Sequence, residues 1–259
     1  MIIEEQISNF KMNPGKSGPV VNPGSYGGDM PQGNIYQKAV SQGYGDASRK
    51  IPGIGKKPRG VRDEILIEIS KKIKDYFEQE SNIASQSDYD TWHEDLCKSI
   101  VSDFDSKLSL TIHFGIAQKI VNMAFKYLRC FYVDSLELKN EKFKYCHCPI
   151  DTIICKNIII LSNNYDVSKE EYIALLNVID SETTPWSKLD YTTYKYLQKI
   201  VNSVAKQILK YDESKLERFG KELGVSNVSL TSAELARQID YFNKNGVSQL
   251  DIDILLWQR

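Results

Sequence analysis

The stretch HFGIAQKIVNMAFKYLRCF, residues 113–131, constrains the fold most. It is apolar for most of its length, with Gln118, Lys119, Asn122, Lys126 and Arg129 set into it at helical intervals. At about 100° per residue, these five and Gly115 fall within an arc of about 100°, and the remaining side chains cover about 200°. A surface helix needs a much narrower apolar stripe. The pattern therefore predicts a central helix nearly surrounded by protein, and a chain built around it from further helices.

The polar arc holds three cations and two carboxamides with no acid. Two readings compete. Lys and Arg can cover apolar surface with their stems and reach water with their heads, which makes the arc a solvent stripe. Alternatively the arc lines a cleft, because Gln and Asn suit a solvent stripe poorly and clustered cations attract a phosphate, a carboxylate or a loop acid. On the second reading Gln118, Lys119, Asn122, Lys126 and Arg129 are ligand-binding candidates. CHCPID, residues 146–151, supplies neighbours. Pro149 can open a helix and place Asp151 in its first turn, able to pair with Lys119 or Lys126. Histidine as a residue type can serve as an acid or base near neutral pH, so His147 and Asp151 are the catalytic candidates.

Amphipathic periodicity continues on both sides. Ile65, Ile69, Ile73, Tyr76 and Phe77 share one helical face, as do Trp92, Leu96 and Ile100 within 89–104. Tyr194, Leu197, Val201, Val204 and Ile208 form a seam fit for an internal helix or a second copy of the chain, and Leu250, Ile254 and Trp257 a short apolar face. TIICKNIIIL, residues 152–161, is β-branched enough for a strand but is read as helix. Ser168/Glu171, Ser187/Asp190, Ser214/Glu217 and Thr231/Glu234 are spaced as capping boxes, and Gly224 and Gly246 stand where C-caps are expected. The fold class is mostly α: a multi-helix domain over 61–259, preceded by a Gly/Pro-rich arm over 1–60.

That arm is read as flexible or extended, since its composition cannot offset the entropy of ordering by burial. Eight Lys or Arg against four Asp or Glu give it a local charge of +4, leaving −5 for the rest of a chain whose formal charge is −1. Within it, IPGIGKK, residues 51–57, resembles the hairpin of a helix-hairpin-helix DNA-binding motif, in which glycine amides approach a backbone phosphate. That motif needs a helix on each side, whereas SQGYGDASRK is a poor helix former and Pro58-Arg59-Gly60 interrupts the chain directly after the hairpin. A basic turn in a flexible arm is the expectation, with Lys56, Lys57 and Arg59 as candidate nucleic-acid contacts.

The five cysteines and the absence of an apolar leader in MIIEEQISNF point to free thiols in a cytoplasmic protein. No apolar run is long enough to span a membrane. Cys146-His147-Cys148 is too tight for the usual zinc spacing and has no second pair; no metal and no cofactor is expected. Cys130, Cys148 and Cys155 read as small buried residues, and His113, on the apolar arc, as a core histidine. A pairing of Cys148 with His113 or His93 for nucleophilic catalysis has no spacing signal behind it.

The order G-x-A-Q-K-x-x-N-x-x-x-K-Y-L (from Gly115), H-C-P-x-D-x-x-I (from His147) and W-S-x-L-D-x-x-x-Y (from Trp186) resembles a family of bacterial proteins with no assigned activity. The resemblance spans about residues 89–210 and implies a coherent domain without naming a reaction. Function is accordingly expected in one of two classes. The first is a non-catalytic protein gripping an anionic partner (nucleic acid, nucleotide or acidic protein surface), for which phage–bacterium conflict is a suitable setting. The second is an enzyme on nucleic acid or a phosphorylated ligand, using His147 and Asp151 with Lys119, Lys126 and Arg129.

Overall fold

The computed structural model describes residues 34–78, 83–132, 140–156, 185–208 and 248–256. Their regular structure is helical, with no strand among the described residues. In chain order the α-helices are α1 (Ile35–Ser48), α2 (Arg59–Glu78), α3 (Gln86–Leu108), α4 (Phe114–Tyr127), α5 (Tyr191–Ile208) and α6 (Gln249–Leu256). None of the described helices is long and apolar enough to cross a membrane.

α4 is the predicted central helix, and every residue from Phe114 to Lys126 is buried. α1, α3, α5 and α6 all pack on it. Its apolar side meets α1 along Ala39, Val40, Gly43 and Ala47, a stripe of small residues at helical spacing. Gly43 sits directly on the α4 backbone: a Cβ there would lie 2.5 Å from the Ile120 carbonyl oxygen. The N-terminus of α4 is approached as closely. The Gly115 N–H donates to the Leu189 carbonyl (2.9 Å), and a Cβ on Gly115 would lie 2.0 Å from the Trp186 carbonyl oxygen. At its other end α4 passes into a π-helical turn, Leu128–Tyr132.

α2 buries Ile65, Leu66, Ile69, Ile73, Tyr76 and Phe77, and α3 buries Tyr89, His93, Leu96, Cys97, Ile100 and Phe104. Tyr76, Phe77, Tyr89 and Trp92 surround Phe125 of α4, with ring centroids 5.6–6.1 Å from it. α3 opens with a capping box in which Ser85 and Asp88 satisfy each other's backbone N–H groups. Ser248 and Asp251 do the same for α6.

Several sequence expectations are corrected. Residues 35–60 are not an extended arm. Asn34 caps α1 by accepting from the Gln37 N–H (3.0 Å), and α1 is held by packing rather than by propensity. Its glycines and serines are poor helix formers in isolation, yet Gly43 is what lets the helix reach α4. Residues 1–33 lie outside the described residues. The charge expectation shifts too. Residues 1–33 carry Lys11 and Lys16 against Glu4, Glu5 and Asp29, so the basic excess belongs wholly to residues 34–60. Pro58-Arg59-Gly60 does not interrupt a helix; it starts α2, with the Arg62 N–H donating to the Pro58 carbonyl.

Ser187 lies in a short 3-10 turn, Trp186–Lys188, and the α5 cap is Asp190, which accepts from the Thr193 N–H (2.7 Å). Pro149 does not open a helix; Asp151 caps the helical turn at 152–156, accepting from the Ile153 and Ile154 N–H groups. Residues 157–161, the other three proposed capping boxes, Gly224, Gly246 and Trp257 lie outside the described residues.

Candidate functional site

Two arrangements of polar groups stand out, one enclosed by the fold and one on its surface. The enclosed one begins with a problem of backbone chemistry. Residues 146–150 run without helix through the interior and are all buried. Their peptide N–H and C=O groups need partners that neither water nor a sheet supplies. Carboxamide side chains supply them. Gln198 accepts from the Cys148 N–H (3.2 Å) and donates to its carbonyl (2.6 Å). Gln118 treats Ile150 in the same way, accepting from its N–H (3.2 Å) and donating to its carbonyl (2.9 Å). Each glutamine thus pairs with one residue of the segment as a neighbouring strand would. Asn122 Nδ2 adds contacts to the Cys148 carbonyl (3.2 Å) and to Gln118 Oε1 (3.0 Å), which share its two hydrogens with the Tyr194 hydroxyl.

From Asn122 the network continues towards the surface. Asn122 Nδ2 lies 2.9 Å from the Tyr194 hydroxyl, which lies 2.9 Å from His147 Nδ1, and His147 Nε2 lies 2.8 Å from Asp90 Oδ1. On its other side, Asn122 Oδ1 lies 2.8 Å from His93 Nε2, and the Cys97 thiol sits against the His93 ring. The partners assign the protons. Asp90 can only accept, so His147 carries its proton on Nε2 and accepts from Tyr194 on Nδ1. Asn122 Oδ1 can only accept, so His93 carries its proton on Nε2. One line of donors results: His93 to Asn122, Asn122 to Tyr194, Tyr194 to His147 and His147 to Asp90.

The electrostatics match. Burial pushes the His93 imidazole well below the ordinary histidine value, and the neighbouring His147 pushes it the same way. Burial likewise drives the Tyr194 hydroxyl and the Cys97 thiol well up. Partial burial raises the Asp90 carboxyl, but its bonds from His147 and Gln86 outweigh that and leave it below the usual carboxylate range. Asp90, with its side chain 36% exposed, is the wet end of the line; His93 and Asn122, at 0%, are its dry end.

The cations of the α4 arc lie against the chain's own acids. Lys119 pairs with Asp151 at 2.6 Å and Lys126 with Asp253 of α6 at 2.7 Å, with Arg129 lying 3.9 Å from Asp251. Burial disfavours the Lys119 ammonium, yet Asp151 and Asp253 more than offset this and raise it. Asp151 is held low for the complementary reason: burial raises it, and Lys119 outweighs burial. Asp253 is different, since burial raises its carboxyl and the two lysines only partly offset the effect.

The sequence candidates therefore fall into separate groups. Gln118, Asn122 and His147 join one network. Lys119 and Asp151 form a separate pair beside it, and Lys126 and Arg129 face α6. His113 is not a core histidine: it is exposed at the N-cap of α4, and the buried one is His93. Asp90, Tyr194 and Gln198 were missed as members of the site. His93 had a legible signal, because it stands four residues after Tyr89 and four before Cys97 on the apolar stripe of α3. All five cysteines are buried and unbridged, and no cluster of three metal-ligating side chains occurs among the described residues.

The surface arrangement is the corner between α1 and α2. Between Asp46 and Asp63 the chain carries Arg49, Lys50, Lys56, Lys57, Arg59 and Arg62 and no acid. Arg62 pairs with Asp63 and stacks over Tyr44; Asp46 accepts from the Tyr127 hydroxyl (2.8 Å). The other five cations form no ion pair with a described residue. Gly53 turns the corner with φ 77°, in the left-handed region that favours glycine. Gly55 comes next in the 3-10 turn Ile54–Lys56, and neither glycine N–H donates to a described residue. No family model matches this chain, nor does any curated protein or solved structure.

Proposed function

We propose that this protein is a non-catalytic binding protein whose basic corner grips the phosphate backbone of nucleic acid. The observation that carries the reading is the glycine at position 55. Its φ lies outside the left-handed region, and a Cβ there would meet nothing within 4 Å. Neither packing nor conformation calls for glycine there, whereas close approach of a phosphate to its free amide does. Lys56, Lys57 and Arg59 bracket that amide with charge, and α1 and α2 hold the turn from both sides, as in the helix-hairpin-helix motif that IPGIGKK resembles.

The buried network supports the same choice from the opposite direction. Both His147 ring nitrogens are engaged, by Asp90 and Tyr194. Asp151 holds Lys119 with one oxygen and caps a helix with the other. That leaves the two bases named for the enzyme alternative already engaged within the fold.

The test is fluorescence anisotropy with duplex DNA, single-stranded DNA and duplex RNA over a salt series. Wild-type affinity is expected to fall steeply with salt. Lys56→Ala/Lys57→Ala/Arg59→Ala should reduce the log–log slope by about 2–3, near 0.9 per lost phosphate contact. Gly55→Ala should weaken binding at unchanged melting temperature. Binding to none of the three acids, or binding that both variants leave intact, overturns the reading.

A further inference from the structure

The surface beside the basic corner continues its chemistry. On the flank of the corner lies the segment joining α3 to α4, residues 109–113, which carries no helix. Leu110 reaches the corner: its Cδ2 lies 3.8 Å from the point where a Cβ on Gly53 would stand. Side chains alternate along the segment. Leu110 and Ile112 are half-buried and buried, whereas Ser109, Thr111 and His113 are exposed. None of those three side chains hydrogen-bonds to a described residue, and the chain carries no acid between Asp105 and Asp134. Ser109 closes α3 with φ 48°, the one non-glycine residue in the left-handed region among the described residues. Glycine is the residue such a cap favours, because a side chain there costs stability. A serine at this position gives up stability and gains an exposed hydroxyl next to the corner.

At the other end of the segment the same character passes to α5. The bond from the Gly115 N–H to the Leu189 carbonyl sets Lys188 and the start of α5 against the N-terminus of α4. Along α5, Thr192, Lys195, Lys199, Ser203 and Lys206 are exposed, and they fall within about 80° of the helix circumference. α5 contains no acid. Elsewhere the fold answers its surface lysines: Lys71 pairs with Glu68, Lys98 with Glu94 and Lys107 with Asp103. On α5 the residue four places after Lys195 is Lys199, a spacing at which like charges oppose helix formation. Lys188, Lys195 and Lys199 form no ion pair with a described residue. Asp190 is the acid beside them, and its Oδ1 is taken by the Thr193 N–H.

We infer that segment 109–113 and the outer face of α5 extend the corner into one tract for a nucleic-acid backbone. The inference rests on the reading of the corner proposed above. Lys188, Lys195 and Lys199 meet phosphates, and the Ser109 and Thr111 hydroxyls and the His113 ring donate to phosphate oxygens between them and the corner. Ser109 to His113 spans about 13 Å, and Lys188 to Lys199 rises about 16 Å. The tract is thus about 30 Å long, the length of about nine base pairs of duplex.

The test is fluorescence anisotropy on the full chain over a salt series. The probes are duplex DNA, single-stranded DNA and duplex RNA of about 16 base pairs or nucleotides, longer than the tract. Lys188→Ala/Lys195→Ala/Lys199→Ala should weaken binding at least tenfold at low salt and reduce the log–log slope by about 2–3, with no fall in melting temperature. Lys71→Ala/Lys72→Ala/Lys74→Ala removes the same charge from α2 and should keep the wild-type slope. Ser109→Gly should raise the melting temperature yet weaken binding about threefold to tenfold, a split that damage to the fold does not produce. Binding lost in the Lys56/Lys57/Arg59 variant but kept at wild-type strength in the α5 variant or in Ser109→Gly overturns this inference alone. So does an α2 variant that loses as much as the α5 variant, since the effect is then one of overall charge. Absence of binding to all three probes overturns the reading of the corner and this inference together.

Discussion

The α4 arc and the α1–α2 corner are both cationic, and the fold treats them in opposite ways. In the arc, Lys119 and Lys126 meet Asp151 and Asp253 at 2.6 and 2.7 Å, inside the protein. At the corner, Lys56 and Arg59 are exposed and Lys57 is half-buried, and no described acid answers them. Charge in a sequence thus says little about whether a partner is wanted. A buried cation must be neutralised within the fold because desolvation leaves it no alternative, whereas an exposed one is stabilised by water and stays available.

The contrast can be broken by mutation. The largest effect is expected in the arc. Lys126→Met leaves Asp253 buried without its lysine and should cost about 3–5 kcal/mol in denaturant unfolding. Adding Asp253→Leu should return much of that loss. If the single variant were neutral, the pair would not be the buried one described. Next comes Gly43→Ala, whose Cβ would press on the Ile120 carbonyl oxygen; about 1–3 kcal/mol is expected from the overpacking. Smaller again is Gln198→Leu, which leaves the Cys148 N–H without its acceptor and removes one of two donors to its carbonyl. A loss of about 1–3 kcal/mol is expected here too, nearer the lower end because Asn122 still holds the carbonyl. The smallest effect on stability belongs to the corner, where the Lys56/Lys57/Arg59 alanine variant should stay within about 0.5 kcal/mol of wild type by thermal melting. A large loss there would mean that the corner is structural and would remove the contrast.

Position-specific features of α4 were readable directly. An apolar arc of about 200° admits only a helix enclosed by protein, and Phe114 to Lys126 are all buried. The seam of α5 was readable for the same reason, with Tyr194, Leu197 and Val201 buried in step. α1 was not readable. Its glycines and serines lower helix propensity, and only the close approach of Gly43 to α4 makes that composition favourable. The pairing of Lys119 with Asp151 was foreseeable from charge and nearness in sequence. That of Lys126 with Asp253 joins residues too far apart in the chain for any local pattern to connect.

By itself, the order of residues determined the class of object: helices, their buried faces, and a basic cluster without acids between residues 46 and 63. Those properties depend on local spacing and composition. Tertiary structure alone decided which polar groups are spent inside and which face out. Only when Gln118, Asn122 and Gln198 converge on the segment 146–150 do its backbone groups find partners, and burial then leaves those side chains nothing to offer a ligand.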